Sequence, residues 1–266
     1  MLQRNIARAV ALATVLLGPA AAASPGGNHA AAESPEALAI QTLGRIIRDN
    51  NHFVQAHSHG FFDRFREGQH PRVTLVGCAD SRFQTNDFYA DPDGELFVIR
   101  NIGNQLDTTS GSVEYGVRHL HTPLLLIVGH VGCGAVRAAM GDYGEESVTV
   151  RRELDGLHLS IFKTRAEGTF DERWLRNVVG NVHQQVEDAR HEYALEIKAG
   201  KLFVVGAVYD FRNDMGAGPG HFLVVNVNGE RDPERLAQLP LMRRAEAPPG
   251  VCSRCHKKAP RRGGGH

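Results

Sequence analysis

The sequence predicts an α/β fold in which helices flank a mostly parallel β-sheet. Five short apolar segments, rich in Val, Ile and Leu, predict the strands at residues 73–78, 96–101, 124–130, 202–208 and 221–227. Helical patterns lie between most of these segments, and strand–helix–strand alternation favours parallel strands joined by right-handed crossovers. The fifth segment follows the fourth after a short link. We therefore expect four parallel strands and one antiparallel edge strand.

The helices are predicted from their capping residues and their apolar periodicity. Ser34-Pro35-Glu36 supplies a capping side chain, a proline for the first turn and an acidic residue near the positive helix end. This helix should run towards Asp49. Further helices are predicted at Gly134–Met140 and at Trp174–Lys198, where apolar residues recur at helical spacing. A loop-rich stretch after the first helix should contain four histidines, namely His52, His57, His59 and His70.

The two ends of the chain differ in composition from its middle. Arg4 and Arg8 precede a short apolar stretch and a run of small residues, which is typical of a cleaved secretory signal. We expect a signal peptide at 1–23, one α/β domain at 24–242 and a tail at 243–266 that is rich in Pro, Gly, Lys and Arg. This signal predicts export of the protein to the periplasm. An N-terminal core helix is the alternative interpretation of the apolar stretch.

Composition excludes several classes of partner. The chain has 266 residues, of which 30 are basic and 30 are acidic. A balanced charge gives no reason to expect binding to nucleic acid or to a membrane surface. The N-terminal apolar stretch is too short to cross a bilayer, so we expect no membrane span.

A pair of motifs follows two of the predicted strands. Cys78-Ala79-Asp80-Ser81-Arg82 begins at the end of the first strand, and His130-Val131-Gly132-Cys133 begins at the end of the third. Ligands of parallel sheets bind beyond the carboxyl ends of the strands, so the two motifs should meet. Thiolate and imidazole groups suit a tetrahedral zinc ion, which predicts Cys78, His130 and Cys133 as its ligands. Inert buried cysteines or a disulfide would explain the two cysteines but not the histidine between them.

These motifs resemble those of the β-class carbonic anhydrases. Cys78–Arg82 is similar to the family's Cys-x-Asp-x-Arg motif, and His130–Ala135 is similar to its His-x-x-Cys-Gly segment. The resemblance extends from about Ser34 to about Gly229 and includes four further segments, at 94–104, 112–117, 181–186 and 206–210. It therefore covers most of the predicted domain at 24–242.

The resemblance implies a zinc lyase that interconverts carbon dioxide and bicarbonate, and the signal at 1–23 predicts that this lyase is exported. Zinc held by these ligands would lower the pKa of a bound water to about 7 and so make hydroxide available for the hydration of carbon dioxide. Asp80, held by Arg82, would accept a hydrogen bond from this hydroxide and orient it. If Asp80 instead binds zinc as a fourth ligand, the site is closed and inactive. The sequence does not decide between these two states.

The resemblance also implies a substrate site. Phe97, Ile102 and Tyr115 would line a narrow apolar pocket. Apart from the resemblance, Gly134 begins the helix after Cys133, and its backbone N–H is predicted to hold a substrate oxygen. Gln69 matches a glutamine that, in the family, reaches the substrate from the partner subunit. A site shared in this way requires a homodimer or a larger homo-oligomer.

The tail carries a motif outside the resemblance. Cys252-Ser253-Arg254-Cys255-His256 has the pattern that attaches c-type haem, and a haem there would imply a redox partner. A disulfide, a second metal site or a remnant of an older motif are the alternatives. Two other functions remain open from sequence. One is a zinc hydrolase of carbon disulfide or carbonyl sulfide, and the other is an exported electron-transfer or docking protein with a structural zinc.

Overall fold

The computed structural model describes residues 33–162 and 167–244, and the chain divides after Asp63 into two compact units. The predicted signal at 1–23 and the predicted tail motif, Cys252–His256, lie outside the described residues. Within the described ranges, none of the helices combines the length and the apolar composition that crossing a bilayer requires.

The first unit contributes two helices, α1 (Pro35–Ala56) and α2 (His59–Asp63). The Ser34 hydroxyl caps α1 by accepting a hydrogen bond from the Ala37 N–H at 3.1 Å, as the capping signal predicts. α1 continues past Asp49 because no Gly or Pro interrupts residues 50–56. The expectation that His52 and His59 lie in loops was therefore wrong, since both are helical.

The second unit contains a five-stranded sheet with the order β2-β1-β3-β4-β5. The strands are β1 (Val73–Cys78), β2 (Leu96–Asn101), β3 (Leu124–His130), β4 (Phe203–Asp210) and β5 (His221–Val227). Strands β1 to β4 are parallel, and β5 is an antiparallel edge strand beside β4. The predicted fold class is confirmed, and the strand bounds agree with prediction except that β4 begins at Phe203 and continues to Asp210.

Helices connect and cover the strands. They are α3 (Ser110–Glu114, continued by a wider turn at Tyr115–His119), α4 (Gly134–Ala139), α5 (Val148–Asp155), α6 (His158–Phe162), α7 (Phe170–Glu192), α8 (Ala194–Lys198), α9 (Pro233–Gln238) and α10 (Pro240–Arg244). The helix predicted at Trp174–Lys198 is in fact two helices. The first begins earlier, because Thr169 and Glu172 form a capping box, and it ends at the buried Tyr193.

Helix α7 packs closely against the centre of the sheet. Gly129 on β3 and Gly206 on β4 form the contact, and a Cβ at either position would lie 2.7 Å from a methyl group of Val182. Val182 is fully buried in the core cluster that also contains the cysteines Cys78 and Cys133. Glycine is therefore needed on these strands because the helix leaves no room for a side chain.

We expect Gly129→Ala to destabilise the fold. The added methyl group must displace Val182 in a packed core, and such overpacking costs about 1–3 kcal/mol. Urea unfolding of the purified protein would measure the loss. Gly111→Ala is the matched control, because a Cβ at Gly111 meets nothing within 4 Å. Equal unfolding free energies for the two variants would contradict the proposed close packing.

Candidate metal centre

Two neighbouring strands bring the three predicted zinc ligands together. Cys78 is the last residue of β1, His130 is the last residue of β3, and Cys133 caps the start of α4. Because Gly77 lies opposite Val128 in the parallel register, both strands end at the same edge of the sheet. The two sulfur atoms and a ring nitrogen of His130 all lie within 4.8 Å of one another, and all three residues are buried.

The two cysteines are not joined. Their Sγ atoms are 4.0 Å apart, about twice the length of a disulfide bond, and both are free thiols in the structure. This separation suits two ligands of one tetrahedral ion, each at about 2.3 Å from it. The metal interpretation therefore accounts for the spacing better than the disulfide does.

His130 presents one nitrogen to the cysteines. Its Nδ1 lies 3.0 Å from the Val131 carbonyl oxygen, so Nδ1 carries the proton and Nε2 carries a lone pair. Nε2 is buried, and no polar atom of the described chain hydrogen-bonds to it. A buried nitrogen without a partner is costly, and coordination to a metal would satisfy it. The donor set fits zinc by both chemistry and geometry.

The pKa values of the two thiols are shifted in opposite directions. The hydrogen bond with Cys133 is the main cause that lowers the pKa of Cys78 to about 4. The same interaction with Cys78, together with burial, raises the pKa of Cys133 well above its ordinary value. Cys78 is therefore a thiolate at neutral pH, which is the form that binds a metal.

Asp80 and Arg82 form a close ion pair beside the ligands. The Arg82 Nε and backbone N–H each donate to Asp80 Oδ1 at 2.9 Å, and Nη2 donates to Oδ2 at 2.6 Å. These bonds hold the pKa of Asp80 well below its usual range. Asp80 Oδ2 lies 3.7 Å from His130 Nε2, and Arg82 Nη2 also donates to the Gly132 carbonyl at 3.0 Å. Arg82 therefore connects the two motifs.

Arg100 holds the turn that carries Asp80, a role that the sequence analysis missed. From β2, its guanidinium donates to the backbone carbonyls of Cys78 at 2.9 Å, Asp80 at 2.8 Å and Phe83 at 2.6 Å. It also donates to the Gln84 side chain at 3.1 Å. The sequence feature that could have indicated this role is an arginine near the end of an apolar strand. The partners of Arg100 are mostly backbone carbonyls, which no sequence motif identifies.

Trp174 supports the second cysteine and was also missed. Its indole Nε1–H donates to the Cys133 carbonyl oxygen at 2.9 Å, and both residues are buried. Trp174 lies on α7, so a helix that supplies no metal ligand fixes the backbone of one. Buried indole groups generally need a hydrogen-bond acceptor, which is the only sequence-level hint of this contact.

The predicted substrate residues lie at different distances from the ligands. Ile102 packs against the core cluster of Cys78 and Cys133, and Gly134 is the exposed first residue of α4. Phe97 and Tyr115 contact each other with ring centroids 5.8 Å apart. Phe97 lies opposite Thr74, four residues before the end of β1, which places it about 13 Å along the strand from the ligands. Gln69 is exposed in the loop before β1.

Comparison with known proteins agrees with this site. A family model described as carbonic anhydrase matches residues 73–216, which contain all three ligands. Carbonic anhydrase 2 of Mycobacterium tuberculosis is 32% identical over 152 residues, covering 53% of this chain and 71% of that relative. A carbonic anhydrase of Mycolicibacterium smegmatis is 32% identical over 149 residues, covering 54% of this chain and 72% of that relative.

Solved structures identify the class within this family. A Coccomyxa β-carbonic anhydrase in complex with acetazolamide superposes with a TM-score of 0.60 at 26% identity, covering 74% of this chain and 90% of that chain. A tetrameric β-carbonic anhydrase of Sordaria macrospora shares the fold, with a TM-score of 0.62 at 24% identity, over 70% of this chain and 98% of that chain. The chain belongs to the carbonic anhydrase family and has the β-class fold.

We expect Arg100→Lys to destabilise the turn at residues 78–84. A lysine cannot donate to three carbonyl groups at once, and leaving buried acceptors unpaired costs about 1–3 kcal/mol. Arg72→Lys is the matched control, because the Arg72 side chain is exposed and, among residues 33–162 and 167–244, it forms an ion pair with Glu95 alone, at 3.2 Å. Chemical unfolding of both zinc-loaded variants measures the difference. A loss no larger than that of the control would exclude Arg100 as a support of the turn.

Proposed function

We propose that this protein catalyses the zinc-dependent, reversible hydration of carbon dioxide to bicarbonate and a proton. The observation that carries this proposal is the buried cluster of Cys78, His130 and Cys133 with an ionised carboxylate beside it. Zinc bound there would supply a Lewis acid that makes hydroxide available near neutral pH. The family membership of the chain supports the same reaction.

Asp80 is the residue that orients the attacking water. Its carboxylate is fixed by three hydrogen bonds from Arg82, and Oδ2 faces the ligand cluster at 3.7 Å from His130 Nε2. The pKa of Asp80 is low, so it accepts a hydrogen bond rather than donating one. Arg82 keeps Asp80 away from the metal by holding both of its oxygens. Loss of this pair would free the carboxylate to become a fourth ligand.

The substrate pocket is shared between two subunits in this proposal. Ile102 and the Gly134 N–H come from the subunit that binds the metal, whereas Gln69, Phe97 and Tyr115 come from its partner. The distance of about 13 Å between Phe97 and the end of β1 in one chain supports this division. Carbon dioxide is small, linear and apolar, so aliphatic and aromatic walls suit it, with a few donors for its oxygens.

Exposed apolar surface supports a homodimer or a larger assembly. β2 is an edge strand of the sheet, and its Val98 is exposed. α1 has no buried residue within the described chain, and its exposed apolar side chains include Leu38, Ile40, Leu43, Ile46 and Ile47. Soluble proteins rarely leave such a stretch uncovered, and a second copy of the chain would cover it.

Other predictions from the sequence stay predictions. Export to the periplasm rests on the signal at 1–23. Haem attachment, a second metal site or a redox partner rests on Cys252, Cys255 and His256. Both segments lie outside the described residues. Hydrolysis of carbon disulfide or carbonyl sulfide would use the same three ligands, so the assay below includes both molecules.

We expect the zinc-loaded protein to hydrate carbon dioxide. Two variants should distinguish the residues that bind zinc from those needed for catalysis. Cys133→Ala should lose both zinc and activity, because one of three protein ligands is removed. Asp80→Asn should retain zinc but lose about 100-fold or more in rate, because the oriented carboxylate is gone. Stopped-flow hydration at pH 7–9 and zinc analysis of each sample measure these effects.

Two results would contradict the proposal. The first is no hydration of carbon dioxide by wild-type protein that contains stoichiometric zinc. If such protein instead hydrolyses carbon disulfide or carbonyl sulfide, it is a zinc hydrolase that uses the same metal site. The second is full activity in Asp80→Asn. Ser81→Ala is a suitable control, since Ser81 is exposed and lies on the same turn.

We also expect two inactive subunits to restore activity when they assemble with each other. Gln69→Ala should cost about 100-fold by removing a substrate hydrogen bond. In a mixed dimer of Gln69→Ala and Asp80→Asn subunits, one site contains both changes and the other contains neither. Activity should therefore return to about half of wild type per dimer. Different affinity tags on the two subunits allow purification of the mixed dimer. No recovery would show that Gln69 acts within its own subunit.

A further inference from the structure

The loop between β4 and β5 places an aromatic ring beside the metal ligands. Phe211, the first residue of this loop, is partly buried and packs against the core cluster that contains Cys78 and Cys133. Its ring stacks on the His130 imidazole, with the ring centroids 6.2 Å apart and an angle of 26° between the ring planes. Phe211 therefore contacts a predicted zinc ligand, although its own side chain has no group that binds a metal.

The same ring contacts Arg82, the residue that holds Asp80. The guanidinium carbon of Arg82 lies over the Phe211 ring, 5.0 Å from the ring centroid. The Arg82 side chain is half exposed, and its hydrogen bonds go to Asp80 and to the Gly132 carbonyl oxygen. An aromatic face attracts a guanidinium without using any of its N–H groups. Phe211 therefore restrains Arg82 by a contact that adds to these hydrogen bonds.

A buried carboxyl group fixes the loop that carries Phe211. Asp210, the last residue of β4, is fully buried. Its two oxygens accept hydrogen bonds from three backbone N–H groups of the loop, those of Arg212 at 3.1 Å, Asp214 at 3.0 Å and Met215 at 2.7 Å. An aspartate that binds the backbone a few residues further on favours a tight turn. The backbone on both sides of Phe211 is thus held in place.

The next residue, Arg212, packs against the second motif. Its guanidinium carbon lies over the Trp174 ring, 5.2 Å from the centroid, and its Nε donates to Asp214 Oδ2 at 3.0 Å. A Cβ added to Gly132 would lie 3.2 Å from Arg212 Nη1, so the two residues are in close contact. The loop therefore contacts both motifs, residues 78–82 through Phe211 and residues 130–133 through Phe211 and Arg212.

We propose that Phe211 is a positioning residue for the Asp80–Arg82 pair. By ordering the half-exposed Arg82 side chain, Phe211 reduces the conformational entropy that Arg82 loses when it binds both oxygens of Asp80. It thereby favours the state in which Arg82 holds Asp80 over the state in which Asp80 becomes a fourth zinc ligand. This inference deepens the account of the zinc site and rests on the proposed function.

Phe211→Leu tests this role because it keeps an apolar side chain and removes the ring. We expect kcat for carbon dioxide hydration to fall about 2- to 5-fold, the factor that an exposed cation–π contact contributes, with an unchanged zinc content. The visible absorption bands of the cobalt-substituted protein respond to a change of metal ligands. In Phe211→Leu these bands should shift towards those of Arg82→Gln, which lacks the guanidinium. Phe211→Tyr keeps the ring and should match wild type in both measurements.

Phe222→Leu is the matched control for a loss of packing. Phe222 is a partly buried residue of β5 that packs against the same core cluster as Phe211, and its ring stacks on Phe88 with the centroids 5.0 Å apart. The variant makes the same chemical change in the same cluster, at a ring that stacks on Phe88 instead of contacting Arg82. Its kcat and its cobalt bands should be those of wild type.

A double-mutant cycle measures the contact between the ring and the guanidinium without using activity. Urea unfolding is followed for zinc-loaded wild type, Phe211→Leu, Arg82→Gln and the double variant. Phe211→Leu should change the unfolding equilibrium constant by about 2- to 5-fold more in the wild-type background than in the Arg82→Gln background. Phe222→Leu should have the same effect in both backgrounds.

The outcomes separate this inference from the proposed function. Coupling in the cycle, together with a lower kcat and shifted cobalt bands in Phe211→Leu but not in Phe222→Leu, would support it. Equal effects in the two backgrounds, or a wild-type kcat in Phe211→Leu, would overturn it and leave the zinc site intact. Coupling in a zinc-loaded wild-type protein without activity would overturn the proposed function, whereas the restraint of Arg82 by Phe211 would stand. If Phe211→Leu does not fold, Phe211→Met, which also lacks a ring, decides in the same way.

Discussion

The structure depends on one constraint: β1 and β3 must be neighbours and must end at the same edge of the sheet. Cys78 and His130 are the last residues of these strands, and neighbouring strands are about 4.8 Å apart. That spacing brings a thiol and an imidazole within reach of one ion. Cys133 follows after a short turn at Gly132, whose φ of 66° lets the chain return towards the strand ends. A different strand order would separate the ligands.

Helix α7 supports this edge of the sheet at several points. Val182 packs against Gly129, the residue before His130, and Trp174 donates to the Cys133 carbonyl. Asn181 donates to the Gly103 carbonyl in the loop that follows β2. One helix thus packs beside His130 and holds the backbone of Cys133, although it contributes no ligand itself. A metal site needs such support because ligand directions must be held against thermal motion for binding to be tight.

The charged groups beside the ligands form a second layer of support. Arg82 binds Asp80 and the Gly132 carbonyl, so it joins the two motifs across the site. Arg100 holds the carbonyls of Cys78 and Asp80 from β2. Each arginine uses its planar fork to satisfy several acceptors at once, which a lysine cannot do. The carboxylate of Asp80 is consequently both ionised and fixed in direction.

The sequence by itself determined the fold class, the five strands and the chemistry of the site. Strand segments are local apolar runs, and thiolate and imidazole groups at the ends of two such runs predict Cys78, His130 and Cys133 as metal ligands. Only the tertiary structure decided the strand order and the supporting contacts. Asn181 and Gly103 are 78 residues apart, and Trp174 and Cys133 are 41 residues apart. These contacts join side chains to backbone atoms, which every residue possesses, so no sequence pattern distinguishes the partner.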